Sequence, residues 1–368
     1  MDSNNCKVSI ITVSYNSFNT IEQTIKSVLE QTYKNIEYII VDGLSTDGTQ
    51  QIIEKYLDSI AYFVSEKDNG LYYAMNKGIK RATGDVIGII NSDDWYASDA
   101  VENVVNYFKH NKAELTYGKT VIITENGKER LSGGRYPITD IWWRIPFMHP
   151  SVFVKKEIYE RYGMFDTEYR LAADCDLLIR FYSQNVRFGY IDEVIAYFRD
   201  GGLSAKKQNE SIYEAYKISL KYSKMAPDTQ DTIKKIEEQY AWNLFVDMVE
   251  THNGLCSLLH KYFNKGIEEL IIFGTGVWGE RCYKVLSNSD IKITYFVDND
   301  SQKWNSCFYD IKIISPNELQ SMETYVLIAV KDSDESIKTQ LKNMCRKGLH
   351  YVSIQDLKAS FVKVESPL

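Results

Sequence analysis

The chain has 368 residues, 44% hydrophobic and 25% charged, with a formal net charge of −7 and a pI near 5.5. This length suits two or three domains of an ordinary globular protein, and the acidic balance weighs against a general nucleic-acid binder. Six cysteines without a CxxC pair argue against a disulfide framework and for a reducing compartment, and the sequence shows neither a signal-peptide pattern nor a run of about 18 apolar residues that would span a bilayer.

In chain order, "KVSIITV" (7–13) is a β-branched run that predicts a strand, closed by the polar turn "SYNS". "FNTIEQTIKSVLEQ" (18–31) places Ile21, Ile25, Val28 and Leu29 at helical spacing. "IEYIIV" (36–41) is a second strand, followed by the loop and helix start "DGLSTDGT". "AYFVS" (61–65) is a third strand, "GLYYAMNKGIKRA" (70–82) a helix and "GDVIGII" (84–90) a fourth strand. This alternation predicts an α/β fold, a doubly wound sheet with helices on both faces. Residues 110–205 are more mixed, with short strands and a helix at "DCDLLIRFYSQ". Residues 206–262 read as helices, with Ile233, Ile236, Tyr240 and Leu244 at helical spacing. A new α/β unit opens at "LIIFGTGVWGERCYKVL" (270–286). The expected organisation is a first domain over 1–205, a helical connector over 206–265 and a small α/β domain over 266–368.

Ligands of doubly wound sheets bind beyond the carboxyl ends of the strands. "TVSYNS", "VDGLSTDG" and "NSDD" therefore share one rim. Asp93 and Asp94 follow directly on a buried strand, and a divalent cation would relieve their mutual repulsion. Mg²⁺ or Mn²⁺ favours carboxylate oxygens and keeps positions open for phosphate. The alternative is a helix N-cap before "WYASDAVENVV". Asp42 ends the second strand and suits the imide N–H of a uracil or thymine base, or else a capped turn in which Ser45 or Thr46 caps the next helix. Tyr15 offers a ring at the end of the first strand.

With these motifs in this order, the stretch from "VSIITVSYNS" through "VDGLSTDGT" to "GLYYAMNKGIKRATGDVIGIINSDDW" resembles the family-two inverting glycosyltransferases with the A-type fold. The later "HPSVFVKKEIYERYGMFDTEYRLAADCDLLIR" is similar to that family too. The resemblance covers about residues 7–205 and is nearest to bacterial enzymes of surface-polysaccharide assembly. It implies a nucleotide-sugar donor, most simply a UDP-sugar, a Mn²⁺ or Mg²⁺ cofactor, and a single displacement onto a saccharide or lipid-linked saccharide. It places the metal ligand at Asp93, where the motif's first acid is replaced by Asn91, and Asp94 in a supporting or acceptor-side role. Donor-binding positions fall on Val13, Tyr15, Asp42, Asp68, Asn76, Lys77, Asn91 and Ser92, with Lys77 open to the alternative of a solvated helix lysine. The general base falls on Asp174, with Asp176 supporting, and an N-cap is the competing role for Asp174. His149 is either a metal or phosphate contact or a structural residue before Pro150. Trp142, Trp143 and Phe147 either pack in the core or wall an acceptor sugar or a membrane contact. "FRDGGLSA" (198–205) resembles the loop after the domain's last strand, where Gly201 and Gly202 suit a lid. The processive signature QxxRW is absent, which favours addition of one sugar. The expected location is the cytoplasm, with peripheral contact at the inner face of the plasma membrane.

"FGTGVWG" fits GxGxxG at Gly274, Gly276 and Gly279, and Asp298 ends the next strand, 19 residues beyond Gly279. Those are the contexts of a dinucleotide fold. The remaining length leaves no room for a separate catalytic domain, and no Tyr-x-x-x-Lys pair is present. The unit resembles small Rossmann-like domains attached to sugar-modifying enzymes. The readings in play are a degenerate binding or assembly module, with homo-oligomers formed through this region, and an NAD(P)-binding unit that modifies nucleotide sugars. A non-catalytic nucleotide-sugar binder is the remaining alternative for the whole chain.

Overall fold

The computed structural model describes residues 6–124, 127–202, 206–250, 254–330, 333–344 and 348–365. The chain divides into two compact units, one ending at Tyr240 and the other beginning at Ala241.

The first unit opens with β1 (Val8–Ser14), α1 (Ile21–Leu29), β2 (Ile36–Asp42), α2 (Thr49–Glu54), β3 (Tyr62–Ser65), α3 (Leu71–Arg81) and β4 (Val86–Asn91). β1 lies between β2 and β4, and β3 extends β2; all these pairings are parallel. Every residue of β1 is buried because alternate side chains enter different cores. Ile11 and Val13 join Met75 and Ile79 of α3 on one face. Val8 and Ile10 join Ile21, Ile25 and Val28 of α1 on the other. That double burial explains why these strands read as continuous apolar runs.

Beyond β4 come β5 (Trp95–Tyr96), α4 (Ala100–His110), β6 (Leu115–Ile123), β7 (Glu129–Ser132), β8 (Phe153–Lys155), α5 (Lys156–Tyr162), α6 (Ala173–Ser183) and β9 (Phe188–Arg199). The sheet runs β3-β2-β1-β4-β8-β6-β9-β5, with β7 paired to β6. β8 is antiparallel to both β4 and β6, so the sheet is mixed. Register sets Ser14 opposite Asp42, Asp42 opposite Ser65 and Val13 opposite Asn91. The strand ends thus form the single rim expected from the sequence.

Glu37, at the other end of β2, ties the foot of the sheet together. Its carboxylate accepts from Lys7 Nζ at 2.8 Å, Ser9 Oγ at 2.6 Å, Thr83 N at 2.7 Å and Thr83 Oγ1 at 2.5 Å. Burial pushes this carboxyl up, but the four donors outweigh burial and bring it down to about 2 from 4.5. A carboxyl lowered on folding stabilises the native state above its unfolded value and loses that contribution as pH falls towards its folded one. Glu37→Gln is therefore expected to cost about 2–3 kcal/mol at neutral pH. The deficit should shrink between pH 4.5 and about 2, the interval set by the two values. Urea denaturation of both proteins across that range measures it, and equal neutral-pH midpoints contradict it.

The expected connector over 206–265 is not a separate element. The helix Gln208–Tyr222 belongs to the first unit, and the boundary falls inside the helix Thr229–Glu250. Trp242, Phe245 and Val249, with Leu255 and Leu259 of the helix Gly254–Phe263, pack into the core of the second unit. The apolar period runs unbroken across Tyr240, so the sequence carries no mark at the division.

The second unit has β10 (Glu269–Phe273), β11 (Lys292–Val297), β12 (Cys307–Phe308), β13 (Ile311–Ile314), β14 (Thr324–Ile328) and β15 (Leu349–Ser353). Their order is β12-β13-β11-β10-β14-β15, parallel except for the β12–β13 pair. One apolar cluster covers each face.

Candidate active site

The apolar run of β4 ends at Asn91, and Asp94 N–H returns to Asn91 O at 3.1 Å. Ser92 and Asp93 therefore occupy the middle of a tight turn between β4 and β5. The helix-cap reading of this acidic pair does not hold, because α4 starts later, at Ala100, with Asp99 at its N-cap. The two acids part company. Asp94 is 1% exposed; its Oδ1 accepts from Arg199 N at 3.0 Å and its Oδ2 from Asn91 Nδ2 at 3.5 Å. Its backbone oxygen accepts from Thr24 Oγ1 at 2.6 Å. Burial and the charge of Asp93 hold its carboxyl well above the usual range. Asp94 thus fastens the turn to β9 and α1, not to an acceptor.

Asp93 points elsewhere. Burial raises its carboxyl too, and a Cβ on Gly202 would lie 3.5 Å from its Oδ2. Two residues earlier in the same turn, Asn91 Oδ1 is buried without a hydrogen-bond partner. A desolvated carboxylate and an orphaned carbonyl oxygen are oxygen donors of the kind that suit Mg²⁺ or Mn²⁺. Together they carry one charge where two acids would carry two. Ser92 is committed to Ser17, Oγ to Oγ at 2.7 Å. Arg199, which the sequence reading passed over, sends Nε to Asp93 O at 3.3 Å and Nη2 to Gln23 Oε1 at 2.9 Å. It lies 5.2 Å from the Trp95 ring centroid. Of the proposed lid, residues 203–205 lie outside the described residues.

Along the rim, Tyr15 is 65% exposed, and its ring lies against Gly43, where a Cβ would come within 3.3 Å. Asp42 is fully buried. It accepts from Ser45 N at 2.9 Å, Ser45 Oγ at 2.5 Å and Ser65 Oγ at 2.6 Å. Its immediate work is to shape the loop beneath Tyr15, with lone pairs left over for a further donor. Neither Ser45 nor Thr46 caps α2, whose N-cap is Gly48. Val13 is a core side chain, which leaves only its backbone for a ligand.

Three expected donor contacts are engaged within the protein. Asn76 clips Phe165 both ways, Nδ2 to Phe165 O at 2.9 Å and Phe165 N to Oδ1 at 3.0 Å. Lys77 is ion-paired with Asp68 and with Glu66, the latter at 2.7 Å. It is therefore a paired rather than a free cation, with its side chain partly exposed. The Asp68 side chain is 7% exposed, with Lys77 as its cation.

The clip on Phe165 fixes a second group of side chains, around Asp174. Phe165 packs between Tyr72 (ring centroids 5.3 Å apart) and His149 (5.7 Å). Tyr72 stands in the first turn of α3, the helix that leaves the rim after β3. Its hydroxyl donates to Asp174 Oδ1 at 3.2 Å. Burial, followed by the charge of Asp174, raises the phenol well above its usual value, so it stays a donor. Burial lowers His149, with the charge of Asp174 acting against that. The imidazole is therefore neutral near pH 7 beside the carboxylate. Asp174 is the second residue of α6, whose N-cap is Ala172, so the N-cap reading does not hold.

Asp176 is on another side of the helix, since residues two apart do not share a face. It is 1% exposed, and accepts from Lys221 Nζ at 3.0 Å, Tyr222 Oη at 3.0 Å and Arg180 Nε at 3.3 Å. It anchors the helix Gln208–Tyr222. Trp142 and Phe147 are core residues, Trp142 edge-on to Tyr182 and Phe147 stacked on Tyr117. Trp143 carries Arg144 over its ring.

In the second unit, Gly274 has φ +109°, and a Cβ on Gly279 would fall 1.9 Å from Gly274 O. The turn thus requires glycine at both positions, while Gly276 faces open space. Gly279→Ala is expected to destabilise this unit by about 2–3 kcal/mol, read as faster amide exchange in β10 and β11. Unchanged exchange would contradict it. Asp298 does not project freely. Its Oδ2 accepts from Thr275 N at 3.1 Å, Thr275 Oγ1 at 2.5 Å and Lys303 Nζ at 3.1 Å.

Residues 9–167 match the family model described as "Glycosyl transferase family 2", and residues 266–348 match "C2185-like, N-terminal". The first unit therefore carries a glycosyltransferase family 2 domain. A Rickettsia conorii protein named an uncharacterized glycosyltransferase is 32% identical over 208 residues, 54% of this chain and 34% of its own length. A Mycobacterium bovis protein named for PGL/p-HBAD biosynthesis as a glycosyltransferase is 28% identical, covering 53% of this chain and 78% of its own length. TuaG of Bacillus subtilis, named for teichuronic acid biosynthesis, is 34% identical over 123 residues, 33% of this chain and 49% of its own. The chain thus spans a third to about three quarters of the relatives it matches. The Staphylococcus aureus TarS structure in complex with UDP-GlcNAc shares the fold, with a TM-score of 0.51 at 19% identity over 63% of this chain and 71% of that one.

Proposed function

We propose that this chain is a metal-dependent inverting glycosyltransferase that moves one sugar from a nucleotide diphosphate, most simply a UDP-sugar, to a saccharide or lipid-linked saccharide in surface-polysaccharide synthesis. The observation that carries this is the division of labour around one rim. Tyr15 and the Asp42 loop offer a base platform, Asn91 and Asp93 oxygen donors for metal and diphosphate, and Asp174 a carboxylate grouped with Tyr72 and neutral His149. The UDP-GlcNAc held by the fold neighbour TarS, and the relatives named for PGL/p-HBAD and for teichuronic acid biosynthesis, support the substrate class.

In this reading Asp174 accepts the proton of the acceptor hydroxyl as that oxygen bonds to the anomeric carbon. The bond from that carbon to the diphosphate oxygen breaks, its electron pair leaves on the diphosphate, and configuration inverts. A divalent cation on Asp93 and Asn91 would offset the growing charge of the leaving group. Asp68 and Lys77 would have to loosen their pairing to meet the donor.

For the second unit, the parallel strand order and the glycine turn support a Rossmann-like reading. The enclosure of Asp298 by Thr275 and Lys303 favours a binding or assembly role, such as homo-oligomer formation, over a working NAD(P) dehydrogenase. No described helix is long and apolar enough to cross a membrane; cytoplasmic residence with peripheral membrane contact is part of the proposal. A panel of nucleotide sugars with Mn²⁺, scored for UDP release and for anomeric configuration by NMR, tests the function. The absence of release, transfer and nucleotide binding with every donor overturns it, and nucleotide binding without release or transfer identifies a non-catalytic binder.

A further inference from the structure

We infer that Glu214 is a positioning residue that sets the approach of Asp174 to the acceptor, through a nest of backbone amides. The inference rests on the assignment of Asp174 as general base.

The stretch that enters α6 brings successive N–H groups together on one carboxylate. Arg170 N donates to both Glu214 oxygens at 3.1 Å, Leu171 N to Oε2 at 2.8 Å and Ala172 N to Oε2 at 3.0 Å. Consecutive amides converging on an anion form a nest, and a negative charge at a helix N-terminus is favourable. α6 has no side-chain N-cap of its own. Its entry is instead held by a residue 42 positions beyond Ala172. Asp174 lies two residues past the last amide of the nest, so the pose of its carboxylate follows the pose of this entry.

The same helix, Gln208–Tyr222, grips α6 a second time. Lys221 and Tyr222 hold the buried Asp176, and Ile218 between them is fully buried. Positions 214, 218, 221 and 222 share one helical face. Two grips two turns apart fix both the tilt and the rotation of α6. This helix also follows the stretch that touches the other half of the site, where Arg199 holds the Asn91–Asp94 turn and Gly202 lies by Asp93. One chain segment thus supports the donor side at its start and the base side at Glu214.

The test uses the whole chain, with Glu214→Ala, Glu214→Gln and Asp174→Asn in parallel, on the donor identified by the nucleotide-sugar panel. Glu214→Ala is expected to lower kcat about 10- to 100-fold, the cost of a small misplacement of a catalytic group. Donor KM and UDP binding should stay at the parent's values. Amide exchange over 170–176 should accelerate while that of β1 and β4 does not. Glu214→Gln, which keeps one accepting oxygen, should recover part of both losses. Unchanged exchange at 170–176 in both variants, or parental kcat despite faster exchange, overturns the inference. Loss of protection throughout β1–β4 also overturns it, by making Glu214 a general folding residue. A fully active Asp174→Asn protein instead refutes the base assignment and removes this inference with it. An inactive Asp174→Asn beside fully active Glu214 variants refutes the positioning role alone.

Discussion

Asp174→Asn is expected to stop sugar transfer while nucleotide binding stays intact. The substitution is nearly isosteric. The amide oxygen can still accept from the Tyr72 hydroxyl, which reaches Asp174 Oδ1 at 3.2 Å, so the group of Tyr72, Phe165 and His149 need not move. What disappears is a group that takes a proton. No neighbour replaces it well. Tyr72 is held protonated chiefly by burial, which persists when the Asp174 charge is removed. Burial lowers the basicity of His149. Asp176 is buried on another side of α6 and is saturated by Lys221, Tyr222 and Arg180. General-base catalysis contributes about 10²- to 10⁴-fold, so kcat should fall by that factor, about 3–5 kcal/mol in barrier height. The UDP dissociation constant, measured by calorimetry, should match the parent's. A variant as fast as the parent would move the base elsewhere; one that also loses UDP binding would make Asp174 a donor-site residue.

How much of this site is legible in the chain follows from the range of the interactions. β1 to β4 are buried on both faces, so they read as apolar runs between helical periods, and the polar residues that interrupt them mark the rim. Asp42, Asn91 and Asp93 were visible for that reason. Their division of labour was not. Asp93 and Asp94 look alike in sequence, and an amide 105 residues away, Arg199 N, decides which one is sealed in. Asn76 looked like a ligand-facing polar residue, but Phe165, 89 residues on, claims it. Lys77 and Asp68 are only nine residues apart, yet nothing in their spacing says that they pair rather than face a phosphate. The parallel β6–β9 pairing likewise joins distant segments, which is why residues 110–205 read as a mixture. Glu214 sits in a helix with no motif, and its partners are backbone amides, which leave no trace in residue identity.

Asp93→Ala is expected to make UDP binding indifferent to Mn²⁺. In the parent, Asn91 supplies a carbonyl oxygen where a second acid would supply charge, so the cation should bind weakly alone and tightly once the diphosphate adds its own oxygens. The factor by which Mn²⁺ tightens UDP must then equal the factor by which UDP tightens Mn²⁺. Loss of outer-sphere groups at metal sites costs about 10- to 100-fold, and loss of a direct ligand should cost no less than the upper end of that range. The parent also carries a pH signature. Burial raises the Asp93 carboxyl, and the protonated form cannot ligate the cation. Mn²⁺-linked UDP affinity should therefore fall on acidification at a pH above the ordinary carboxylate range, and the fall should be absent from Asp93→Ala. Titration calorimetry of UDP with and without Mn²⁺ at several pH values reads both effects. If Asp93→Ala keeps the full Mn²⁺ enhancement, the cation is held by other groups, and the turn at Asn91–Asp94 serves only to shape the rim.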